Sequence, residues 1–108
     1  MEISRMQKAV HQNSINKGFW AEEGQDRNKA EMIALMHSEL SEALEAIRFG
    51  PGFKDKHLPD HDPVGIELAD CVIRIMDYCE GFGINLEATM IAKANFNINR
   101  PHKHGKQF

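Results

Sequence analysis

Apolar and polar residues do not alternate in the two-residue period of strands, while residues that start and stop helices recur along the chain, so an all-α fold is expected. A first helix is expected over about residues 2–16, stopping near Lys17-Gly18. The loop "KGFWAEEGQD" follows, with two large aromatics side by side. The second helix starts after Asn28, whose side chain caps while Glu31 stands three residues on as in a capping box. It runs to Phe49, where Gly50-Pro51-Gly52 ends it. Asp62 followed by Pro63 is an N-cap and first-turn pair that opens a third helix, reaching about Glu80 ahead of Gly81 and Gly83. Asn85 caps a fourth, which Pro101 terminates. The segment "GPGFKDKHLPDHD" is long for a helix–helix connection and rich in Gly, Pro and charge, as a lid or a surface loop would be. With 108 residues, no internal repeat and no low-complexity tract, the chain reads as one domain over 1–108, a four-helix core bundle with a basic tail at 100–108.

On the second helix, turning about 100° per residue from Glu39 puts Leu35 and Ala46 within about 40° on one side and Ala43 and Met36 within about 60° on the other. Glu39 thus stands in the middle of an apolar stripe. Glu42 lies about 60° away at its edge, nearly one turn further along, so both carboxylates project toward whatever the helix packs against. On the third helix Ile66, Leu68, Ala69, Cys71, Val72, Ile73, Ile75, Met76 and Cys79 cover most of the circumference, which predicts a central, largely buried element. The remaining strip carries Glu67, Asp70, Arg74 and Asp77, with Tyr78 beside them.

Four carboxylates converging on one cleft cannot all stay ionised, because like charges about 4 Å apart repel by about 4 kcal/mol at an effective dielectric of about 20. Two sources of positive charge are open: a hard cation, or Arg74, which lies within a turn of Asp70 and Asp77. Two matched acidic pairs, Glu39/Glu42 and Glu67/Asp70, favour the cation. An oxygen-only donor set favours Mg²⁺, with Mn²⁺ as a substitute. A di-iron bundle would need Glu-x-x-His on two helices, and the chain has none. His37 lies about 160° from Glu39 and points elsewhere.

Composition is that of an ordinary globular protein, with 42% hydrophobic residues, 27% charged, one Trp and one Tyr. Cys71 and Cys79 are about 12 Å apart along one helix, too far for a disulfide, and no C-x-x-C pair offers zinc ligands. No apolar run approaches the roughly 20 residues of a membrane span, and the start lacks a signal-peptide core, so a cytoplasmic protein without a membrane partner is expected. The net charge of −3 is asymmetric: nine basic against sixteen acidic residues leave 1–92 at −7, and Lys93, Arg100, Lys103 and Lys106 put 93–108 at +4. Four cations without interleaved aromatics make a poor nucleic-acid arm, so no nucleic-acid partner is expected, and a compact polyphosphate fits at least as well.

Lys93, Asn97 and Arg100, spaced i, i+4, i+7, share one polar stripe that is either an anion-binding face or a solvated one. Together with the acidic pairs, this tail resembles the MazG-like branch of the all-α nucleoside triphosphate pyrophosphohydrolases. The E-x-x-E and E-x-x-D pairs of that family match Glu39–Glu42 and Glu67–Asp70. Its "GFW" matches Gly18-Phe19-Trp20, and its tail K-x-x-x-N-x-x-R-x-x-x-H-G-K matches Lys93, Asn97, Arg100, His104, Gly105 and Lys106. The likeness covers about residues 10 to 108, and the combination is more specific than either acidic pair alone.

The resemblance implies Mg²⁺-assisted hydrolysis of a nucleoside triphosphate, such as a deoxynucleoside triphosphate in pool cleaning, to the monophosphate and pyrophosphate. Glu39, Glu42, Glu67 and Asp70 would hold metal, with Glu39 or Glu42 orienting a water. Lys93, Arg100 and Lys106 would hold the triphosphate, and Asn97 and His104 belong to the same set. Trp20, with Phe19, would stack on the base; a lone Trp is as readily a core residue. Tyr78 would close the pocket, and His11 and Asn13 fit either a site or a surface. A homodimer or a dimer of dimers is also implied, in keeping with a third helix more apolar than three short partners can cover. The rival from another class is a non-catalytic helical nucleotide-binding or protein-interaction module that keeps a structural cation.

Overall fold

The computed structural model describes residues 2–21 and 27–108, and all regular structure among them is helical. The elements are α1 (Glu2–Asn16), α2 (Lys29–Phe49), α3 (Pro63–Gly81) and α4 (Leu86–Ile98), followed by a 3-10 turn over His102–Gly105. The last part of the aromatic loop, residues 22–26, lies outside the described residues.

Three helix starts and one helix end follow from local caps. Asn28 Oδ1 accepts from the Glu31 backbone N–H at 2.9 Å, Asp62 Oδ1 from Val64 at 2.9 Å and Asn85 Oδ1 from Ala88 at 3.0 Å. Gly50 ends α2 at φ 96°, a left-handed backbone that a side chain would resist. The loop to α3 is pinned by Asp55, which accepts the backbone N–H groups of His57 and Leu58 at 2.7 and 2.8 Å. Those two donors hold the Asp55 carboxyl below the usual carboxylate range.

The centre of the molecule is α3, packed against α2 on one side and α1 on the other. Its position matches the expectation from its apolar circumference, but its burial is only partial: Cys71, Asp77 and Cys79 are buried while Leu68, Val72 and Ile73 stay open. Both cysteines are free thiols, and burial pushes that of Cys79 up. The inward face of α2 is Met32, Glu39, Ala43 and Ala46, one stripe with the carboxylate in its middle. One residue on, Ile33, Leu40, Leu44 and Ile47 form a second apolar stripe that faces solvent in the single chain.

The fourth helix packs against α1, buries none of its residues and exposes Met90, Ile91, Phe96 and Ile98. Hence the radius of gyration is 16.4 Å, against about 13 Å for a compact chain of this length. Gln7, buried on α1, fastens that end by donating to Glu80 Oε1 at 2.9 Å and the Ile84 carbonyl at 3.0 Å.

Candidate metal and phosphate site

Where α2 crosses α3, Glu39, Glu67 and Asp70 bring carboxylate oxygens within 4.8 Å of one another. Glu39 comes from the buried stripe of α2; Glu67 and Asp70 come from adjacent turns of α3 and are half-buried. Glu42 is exposed at the rim, within hydrogen-bonding contact of Glu67. Of the four acids in the E-x-x-E and E-x-x-D pairs, three come together, while Glu42 stays exposed beside Glu67 and does not face inward as its place at the stripe's edge suggested.

Their electrostatics show the strain expected of like charges. Burial, then contact with Glu42 and Glu39, raises the Glu67 carboxyl to about 7. Burial and the Glu39 charge push Asp70 up, and Arg74 opposes that shift. A raised carboxyl pKa means that folding favours the protonated form. The metal-free protein therefore loses this contribution as pH rises from the ordinary value of 4.5 through about 7. Thermal melts in EDTA should show a lower midpoint at about pH 8 than at about pH 6, and millimolar Mg²⁺ should restore more of it at the higher pH, where it need not displace the proton. Equal midpoints at both values would refute the raised Glu67 carboxyl.

Arg74 meets neither of the acids that its spacing offers first. Its Nε donates across the helix pair to Glu39 Oε1 at 3.0 Å, while Glu39 Oε2 is buried and has no partner. With the Glu39 side chain 9% exposed, one oxygen of a buried carboxylate is left bare beside two other carboxylates.

Asp77, the remaining acid of the strip, has its own partners. Trp20 Nε1 donates at 2.9 Å, Ser14 Oγ at 2.8 Å and Arg27 Nη1 at 3.4 Å, and His11 Nδ1 lies at 2.7 Å. This node ties α1 and the aromatic loop to α3. Its spacing signal was the run Glu67, Asp70, Arg74, Asp77 on one face; nothing local named His11, Ser14 or Arg27 as its partners.

Trp20 is buried, edge-on to His11 and Phe82, and a Cβ at Gly81 would fall on its six-membered ring. Of the two neighbouring aromatics only Phe19, 63% exposed, offers a ring face. That ring borders a cavity of about 280 Å³ whose other walls are Val10, Asn13, Ser14, Arg27, Glu39, Asp70, Ile73, Arg74 and Asp77. A second, more apolar hollow of about 520 Å³ lies under the α2–α3 loop, lined by Leu58, Asp60, His61, Ile66 and Ala69 among others, and shares Asp70 and Ile73 with the first. Of the acidic cluster, Asp70 thus borders both chambers and Glu39 the first.

The other sequence candidates lie apart. Tyr78 is half-buried against Phe82, ring centroids 4.8 Å apart, and borders neither chamber. Lys93 and Arg100 rest over the Phe96 ring of α4 at 4.7 and 5.7 Å, and Asn97 keeps a buried Oδ1 without a partner. His104 and Lys106 are exposed in the tail, where Lys103 and His104 adopt φ of 54° and 52°. None of these tail residues borders the acidic cavity, because α4 leans on α1 and leaves the α2–α3 crossing open.

No helix of the described residues is long and apolar enough to cross a membrane. Comparison with protein families, with curated proteins and with solved structures finds no match for this chain.

Proposed function

We propose that the protein is a Mg²⁺-dependent nucleotide pyrophosphohydrolase, cleaving (deoxy)nucleoside triphosphates to the monophosphate and pyrophosphate, the activity implied by the MazG-like resemblance. The observation that carries this reading is buried Glu39, whose Oε2 has no partner and whose carboxylate forms an oxygen-only donor set with Glu67 and Asp70. A buried carboxylate oxygen without a donor is costly unless a cation meets it, and oxygen donors alone suit Mg²⁺ or Mn²⁺. Glu39, Glu67 and Asp70 would hold the ion, with Glu42 joining through Glu67. When bound, Mg²⁺ supplies charge neutralisation for phosphate oxygens and an acidified water.

The chain's own groups do the rest. Glu39 is engaged by Arg74 and buried, so Glu42, open at the rim, is the carboxylate free to orient the attacking water and accept its proton. A water oxygen bonds to phosphorus as the α–β anhydride breaks, and pyrophosphate leaves. Phe19 offers the ring face for a base, with the Asn13 amide in the same wall.

The tail cations reach a neighbouring site in a homodimer or dimer of dimers, where a second copy covers the open stripe Ile33, Leu40, Leu44 and Ile47 and the bare faces of α3 and α4. The location consistent with this chemistry is the cytoplasm. A non-catalytic nucleotide-binding module is the second reading, favoured by the Arg74–Glu39 pair, which already neutralises part of the cluster.

A panel of dNTPs and NTPs incubated with Mg²⁺ or Mn²⁺ separates the two. Pyrophosphate and monophosphate should form with the parent and not with Asp70→Asn. Nucleotide bound but returned intact would select the binding module.

A further inference from the structure

Arg74 is tied down at one end only. Its Nε holds Glu39 Oε1, whereas the four N–H donors of its terminal nitrogens meet no acceptor among the described residues. The side chain is 37% exposed and borders the cavity beside Glu39 and Asp70. The other cation of that wall, Arg27, is occupied: it donates to Asp77 and lies over the Phe19 and Trp20 rings at 5.8 and 5.5 Å. Arg74 therefore presents the uncommitted guanidinium fork of the cavity.

We propose that Arg74 serves the site twice: Nε fixes the Glu39 carboxylate with Oε2 toward the cation position, and the free fork binds a phosphate-type oxygen of the substrate in the cavity. The inference rests on the Mg²⁺ reading above and assigns an anion contact that the sequence likeness gives to the tail. Each half follows from geometry. A carboxylate held at one oxygen cannot turn away from a ligand at the other, so its partner acts as a positioning group for metal binding. A planar guanidinium anchored through Nε keeps its two terminal nitrogens side by side, the arrangement that matches phosphate oxygens; a lysine ammonium can occupy one of these places but not both.

The experiment measures two ligands separately on the full chain. Mn²⁺ uptake is followed by the paramagnetic signal of the free ion, and inorganic pyrophosphate binding by calorimetry in Mg²⁺, for the parent, Arg74→Lys and Arg74→Met. Helical circular dichroism confirms that each variant is folded. Arg74→Met should bind Mn²⁺ about 10- to 100-fold more weakly and lose pyrophosphate binding. Arg74→Lys keeps the charge beside Glu39, so it should retain most of the Mn²⁺ affinity yet bind pyrophosphate about 10-fold or more weakly. Lysine matching the parent for both ligands would overturn the proposal, since charge alone would then suffice. Unchanged binding in Arg74→Met would overturn it as well. A parent that takes up no Mn²⁺ would instead overturn the metal reading and this inference with it.

Discussion

Asp77→Ala is expected to be the most destabilising single substitution in this chain, lowering the melting temperature by about 15 °C or more. Asp77 is 6% exposed and receives Trp20, Ser14 and Arg27, with His11 at the same carboxylate. Removing it leaves the indole N–H and its neighbours as buried donors facing a cavity, at about 1–3 kcal/mol for each group left unsatisfied. A few such terms consume much of the roughly 5–15 kcal/mol that holds a small domain together. Asp77→Asn keeps one oxygen acceptor and should lose about half as much. The same node is reached from the other side by Gly81→Ala, whose methyl group displaces the Trp20 ring. Trp20 is the one tryptophan of the chain, so its emission reports the node directly: a red shift in the folded variants marks the ring leaving its site. Melting within about 2 °C of the parent would show that Asp77 carries no structural weight.

Glu39→Gln is expected to lower turnover by about 100-fold or more while leaving the fold within about 1 kcal/mol of the parent. The two effects diverge for a physical reason. The amide removes a charge that is buried with one oxygen bare, which relieves desolvation, while Arg74 is exposed enough to turn toward water. What disappears is the central donor of the oxygen cluster, and with it the rise in melting temperature on adding Mg²⁺. Contact with Glu39 is one of the causes that raise Glu67, so the pH dependence of the metal-free melt should also shrink. Melts with and without Mg²⁺ at two pH values, beside a pyrophosphate-release assay, check all of these. Full activity in Glu39→Gln would remove the acidic cluster from the chemistry.

Much of the fold was legible because its signals are local. Asn28, Asp62 and Asn85 start helices by accepting a backbone N–H two or three residues on, and Gly50 stops one by taking a left-handed φ. The inward turn of Glu39 was legible too, since one helical period relates it to Ala43 and Ala46. The pairing of charges was not. Spacing along α3 offered Arg74 to Asp70 and Asp77, yet the arginine reaches α2, and Asp77 is claimed by residues more than fifty positions away along with the closer Arg27. The second apolar stripe of α2, one residue out of phase with the buried one, also went unread beside the first.

By itself the sequence determined four helices, the caps that start three of them and the inward turn of Glu39, because propensity, capping and periodicity act within a turn or two of the chain. Only the tertiary structure decided that Arg74 meets Glu39 at one oxygen and leaves the other bare, that Trp20 fills the space over Gly81 while Phe19 stays open, and that α4 stands away from the acidic cavity. Those outcomes depend on how helices cross and which rotamers the crossing admits, and contacts between distant segments have no period in the sequence to announce them.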